Sequence, residues 1–127
     1  MNLKINYPKR STEITQLYLN FLDQHILDVL NDSEKVFYEI NEIANVLCLS
    51  PSHLSDTIQK ETGHHPCYFY DQKIIEVAKK LIIQSDESIA SIARKLTYDP
   101  SNFSKFFKKH TGFTPGSFKE NYFKKNE

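Results

Sequence analysis

The sequence predicts an all-α protein: two helix-turn-helix subdomains joined by a long linker helix. Three observations carry that expectation. A segment recurs 49 residues later: Ile40, Ile43, Ala44, Leu47, Pro51, Ser52, Ser55, Lys60, Thr62, Gly63 and Pro66 return as Ile89, Ile92, Ala93, Leu96, Pro100, Ser101, Ser104, Lys109, Thr111, Gly112 and Pro115. Each copy has the apolar spacing of two short amphipathic helices separated by a turn. Only three glycines and few alternating β-branched runs argue against an all-β fold. Two copies are too few for a solenoid. They are what a monomer needs to present two equivalent helices to two segments of one ligand.

In order, residues 1–10 read as a loose tail. A first helix follows from a Ser11 or Thr12 cap to about Leu30, with Ile14, Leu17, Tyr18, Phe21, Leu22, Ile26, Val29 and Leu30 on one face. From Ser11 to Glu34 there are five acids and no Lys or Arg, so this helix does not face a polyanion. The stripe is expected to pack on the first subdomain. A sharper alternative is that part of it docks a partner or a second copy.

The first repeat unit begins after Asn31-Asp32-Ser33. Ile40, Ile43, Ala44 and Leu47 make a short helix, Cys48-Leu49-Ser50 a tight turn, and Ser50-Pro51 an N-cap followed by proline at the first helical position. Leu54 and Ile58 are the inner face of the next helix, which Gly63 ends. A longer helix runs from Pro66 to about Ile83, buried through Phe69, Ile74, Val77, Ala78, Leu81 and Ile82. At 1.5 Å per residue it spans roughly 27 Å, near the roughly 34 Å between successive major-groove faces of B-DNA. The second unit repeats the plan: Ser88 caps Ile89, Ile92, Ala93 and Leu96, Thr97-Tyr98-Asp99 is the turn, Asp99-Pro100 starts the next helix, Phe103 and Phe107 face inward, and Gly112 stops it. A last helix, Pro115 to about Lys124, tucks in Phe118 and Tyr122. The organisation is therefore a tail and acidic helix at 1–35, a first subdomain at 36–65, a linker helix at 66–84 and a second subdomain at 85–127.

Charge is segregated. The chain is neutral overall, but residues 1–87 carry eight basic against thirteen acidic side chains, and residues 88–127 carry eight against three. Such asymmetry points to a polyanion partner for the basic half, or to mutual attraction of the halves. No apolar run approaches a membrane span, and the start, MNLKINYPKR, has no signal-peptide core. Cys48 and Cys67 form no metal or redox spacing and read as reduced, semi-buried thiols of a cytoplasmic protein.

The strings LSPSHLSDTIQKETG and IARKLTYDPSNFSKFFKKHTGFTP resemble the first and second helix-turn-helix motifs of the AraC/XylS family of bacterial transcription regulators, the match covering roughly residues 36–123. The chain departs from the family pattern in four places. Thr97 replaces the turn glycine, Tyr98 the following phenylalanine, Ile74 a common arginine, and Asp56 a frequent basic residue. The resemblance implies homeodomain-like subdomains whose second helices enter the major groove of double-stranded DNA. Carried over residue by residue, it implies base reading by Ser52, His53, Ser55 and Asp56 in the first unit, and by Ser101, Asn102, Ser104 and Lys105 in the second. Asn102 suits adenine, Lys105 guanine, and Asp56 or Ser55 cytosine. Lys108, Lys109, Arg94 and the helix N-termini at Ser88 and Pro100 are expected at phosphates, which position rather than specify.

No catalytic motif, cofactor loop or metal set is expected. His64, His65, Cys67 and Glu61 match no tetrahedral spacing. The competing reading is a protein-interaction module, for example one contacting RNA polymerase, motivated by the weakly basic first unit. About 35 residues precede that unit, too few for the separate sensor domain that family members often carry. Both a short stand-alone regulator and the C-terminal piece of a longer one stay open.

Overall fold

The structure, a computed structural model, describes residues 10–126. The tail expected at 1–10 lies, but for Arg10, outside them. Seven helices follow in order: α1 (Ser11–Leu30), α2 (Ile40–Val46), α3 (Pro51–Thr62), α4 (Pro66–Gln84), α5 (Ile89–Lys95), α6 (Pro100–Thr111) and α7 (Pro115–Lys125). No strand occurs among the described residues. The fold is all-α, and α4 is one unbroken helix where the linker was expected.

The chain forms two compact units. Unit 1 takes the described residues up to His25 together with Tyr38–Tyr70, and unit 2 takes Ile26–Phe37 and everything from Asp71 onward. In unit 1, α2 packs on α3, and Ile14, Tyr18, Leu22, Ile43, Ala44, Leu54, Ile58 and Tyr70 are buried. Three polar ties stitch it together. The Tyr18 hydroxyl donates to the Pro66 carbonyl at 2.8 Å, the Tyr70 hydroxyl to the Tyr38 carbonyl at 2.8 Å, and the Tyr38 amide to His25 Nε2 at 2.9 Å. Unit 2 is built on Ile75, Ala78, Ile82, Ile92, Ala93, Leu96, Phe103 and Phe107, with Leu30, Phe37, Tyr98, Phe106 and Phe118 packed around them.

The repeat is faithful at the backbone. In both units the short helix ends in a Schellman motif. The Leu49 amide reaches Ala44 O and the Cys48 amide reaches Asn45 O, as the Tyr98 amide reaches Ala93 O and the Thr97 amide Arg94 O. Cys48 (φ 60°) and Thr97 (φ 64°) hold the left-handed position that favours glycine. The motif recurs after α1, where Asp32 (φ 66°) takes the same place and the Ser33 amide returns to Asp28 O. Ser50 caps α3 by accepting from the His53 amide, and Gly63 (φ 81°) and Gly112 (φ 86°) end α3 and α6.

Four details of the sequence reading change. Neither Ser11 nor Thr12 caps α1: both are helical, and Arg10 precedes them with its amide donating to Glu13 Oε1 at 3.0 Å. Leu17 is exposed, while Thr15 and His25 are buried. His25 shares the face of Tyr18 and Leu22 at helical spacing, whereas Leu17 lies about 100° from Tyr18. Both cysteines are exposed, not semi-buried, because Cys48 takes the tip of the turn and Cys67 the outer side of the first turn of α4. Tyr122 is exposed rather than tucked in, and Phe118 alone of that pair packs on Phe107.

Candidate nucleic-acid interface

α6 forms because Asp99 and Pro100 fix its start, Phe103 and Phe107 fix its inner face, and Gly112 fixes its end. Counting about 100° per residue, Lys105 stands opposite the two phenylalanines. Ser101 and Lys108 flank it on one side, Asn102 and Lys109 on the other. All five are exposed, and Ser104 is half-buried at the margin. Lys95 is tied to Glu87 and Lys79 to Glu76. Among the described residues Lys105, Lys108 and Lys109 have no ion pair within 4.0 Å, so their charge is available to a ligand.

α3 repeats this geometry with different chemistry. Leu54 and Ile58 face inward. Asp56 takes the place of Lys105, flanked by Ser52 and Gln59 on one side and by His53 and Lys60 on the other. Ser55 is half-buried, and its hydroxyl accepts from the Gln59 amide at 3.2 Å. Gln59 and Lys60 were not among the sequence-derived site residues. The signal was present, since they are the repeat partners of Lys108 and Lys109.

Both expected helix N-termini carry a side-chain cap. The Asp99 carboxylate accepts from the Ser101 and Asn102 amides at 3.1 and 3.3 Å. A phosphate at Pro100 would meet that carboxylate, and proline itself offers no N–H. At Ser88 the hydroxyl already accepts from the Ser91 amide at 3.1 Å. Arg94 is exposed in the last turn of α5. His64 stacks on Tyr68 with ring centroids 3.9 Å apart, and His65 Nδ1 accepts from the Cys67 amide. No cluster of three metal-ligating side chains occurs among the described residues, and no helix there is long and apolar enough to cross a membrane.

This pairing of two equivalent helices, each capped, each aimed outward along one polar face, matches a known pattern. A family model described as a helix-turn-helix domain aligns with residues 43–121. The chain belongs to the AraC-type helix-turn-helix family. The arabinose operon regulatory protein of Salmonella typhimurium is 34% identical over 97 residues, covering 76% of this chain and 34% of that protein. Its counterpart in Escherichia coli is also 34% identical over 97 residues, with 32% of its length covered. The chain thus spans about a third of the length of these curated relatives. Among solved structures, the C-terminal domain of AraT, a response regulator from Geobacillus stearothermophilus, has a TM-score of 0.75 at 24% identity, covering 89% of this chain and 88% of that one. The DNA-binding domain of AdpA, solved in complex with a target DNA, has a TM-score of 0.66 at 18% identity, covering 90% of this chain and 93% of that one. Both share the fold. In this AraC-type chain the departures noted in the sequence have clear consequences: Thr97 keeps the left-handed backbone without glycine, and Ile74 is buried.

Proposed function

We propose that this AraC-type chain is a sequence-specific DNA-binding transcription regulator, or the DNA-binding part of one. α6 is its principal reading helix. Lys105, Asn102, Ser101 and Ser104 meet base edges, with lysine donating to guanine O6/N7 and asparagine pairing bidentately with adenine. Lys108, Lys109 and Arg94 meet phosphates and set the register. α3 presents Ser52, His53, Ser55 and Asp56 in the same way but with little charge of its own. The observation that carries this reading is the unpaired lysine face of α6, directly opposite its phenylalanine core.

The experiment is a salt series on binding to random duplex. Each phosphate contact contributes a slope of about 0.9 in log affinity against log salt. Lys105→Ala, Lys108→Ala and Lys109→Ala should each flatten it by up to that amount, and equivalent changes in α3 should flatten it less. A second reading, a protein-contact module of the kind that would meet RNA polymerase, is favoured by the acidic Asp56 and Glu61 of α3. It predicts almost no salt dependence for the intact chain.

A further inference from the structure

The two copies also differ along the flank of the reading helix. In unit 2, Tyr98 stacks on Phe106 with centroids 5.1 Å apart, and His110 meets Phe106 edge-on at 4.8 Å. Asp71 of α4 closes the group, its Oδ2 lying 3.6 Å from His110 Nε2. The repeat partners of Tyr98, Phe106 and His110 in unit 1 are Leu49, Thr57 and Glu61. The cluster is therefore peculiar to the unit whose reading helix carries Lys105, Lys108 and Lys109.

Asp71 is half-buried. Burial pushes its carboxyl up, and His110 and Lys109 pull it only part of the way back. Tyr98 is pushed up to about 12, by its own burial and by Asp71. The ionised carboxylate thus costs the fold more than its neighbours return. The same carboxylate lies beside the basic last turn of α6, Lys108-Lys109-His110, where it would offset the lysines' attraction and repel a phosphate bound there.

We propose that Asp71 is a positioning and specificity-setting residue for α6. Through His110 it holds the last turn of the helix against α4, and as a counter-charge to Lys109 it holds down binding to arbitrary duplex. The inference rests on the reading of α6 as the base-contacting helix. Discrimination is a difference of affinities, and a group that weakens binding to the wrong partner raises it as surely as a new contact to the right one.

Asp71→Asn keeps the shape and removes the charge. With the full chain, affinities are measured for a random duplex and for a duplex selected from a random pool, across a salt series, with thermal unfolding confirming that each variant is folded. Asp71→Asn should bind random duplex about two- to tenfold more tightly at low salt, the range given by one charge roughly 10 Å away in a dielectric between water and a protein surface. The selected site should gain less, so the ratio of the two affinities falls. Asp71→Glu, which keeps the charge, should stay near the parent affinity for random duplex. His110→Gln should lower the ratio without tightening random binding. Parallel weakening of both duplexes by Asp71→Asn, as a scaffold role would give, overturns the proposal, and so does no change in either. Lys105→Ala and Lys108→Ala serve as the control. If they leave both affinities unchanged, the reading of α6 fails. If they weaken binding while Asp71→Asn changes nothing, only the role of Asp71 fails.

Discussion

Thr97→Gly should make this protein more stable. Thr97 sits at φ 64° as the left-handed residue of the Schellman motif that ends α5. For an L-residue that conformation costs about 1–2 kcal/mol, and a β-branched side chain belongs at the upper end. Among the described residues the Thr97 hydroxyl makes no hydrogen bond, and the side chain is exposed, so nothing is lost with it. Glycine removes the strain but adds about 0.5–1 kcal/mol of unfolded-chain entropy. The net gain is about 1 kcal/mol, or about 3–5 °C in the midpoint of thermal unfolding for a domain of this size. Thr97→Ala retains a Cβ and should recover much less. Thermal and urea unfolding of the three proteins decide the matter. If glycine is no more stable than threonine, or alanine matches glycine, the strain argument is wrong.

Asp99→Ala removes the acceptor of two α6 amides and should cost about 1–2 kcal/mol in urea unfolding. Phe103→Ala empties the centre of unit 2, where the ring is fully buried. It should cost about 3–5 kcal/mol, seen as loss of cooperative unfolding or of near-ultraviolet dichroism in that unit. Asp71 also sets a pH dependence. Its carboxyl is raised in the folded state above the ordinary 3.8, so the native state holds the proton more tightly, and stability is lost as pH rises from 3.8 through the raised value. Asp71→Asn should therefore unfold later than the parent at pH 7, and the difference should vanish below pH 3.8.

Much of this was legible in the sequence because local signals and the repeat agreed. Ser50-Pro51, Asp99-Pro100, Gly63 and Gly112 announce helix boundaries by chemistry that acts within a few residues. Leu54, Ile58, Phe103 and Phe107 announce inner faces by spacing alone. The repeat also carried information left unused: Lys60 recurs as Lys109 and stands on the same outward face of α3. What spacing does not carry is contact between distant segments. Asp71 meets His110 from 39 positions away in the sequence, and no local pattern marks it. The capped N-termini are a second case, and a local one. Asp99 was legible as a cap, but the two amides its carboxylate takes are then not free for a phosphate. The exposed thiols show a third limit, since cysteine's general preference for burial yields to an outward turn position at Cys48 and to the outer side of α4 at Cys67.

The central claim is that α6 reads bases through its first turns, Asn102 and Lys105 included, while Lys108 and Lys109 hold the backbone. Asn102→Ala separates those roles in one titration, run at fixed salt against a selected site and against random duplex. Asn102 lies on the outward face in the first turn of α6, where a bidentate contact discriminates by about 1–3 kcal/mol. The account predicts a roughly five- to hundredfold loss on the selected site, relaxed preference at one base position, and random-duplex affinity nearly unchanged. Parallel loss on both duplexes, or no loss on either, would contradict it.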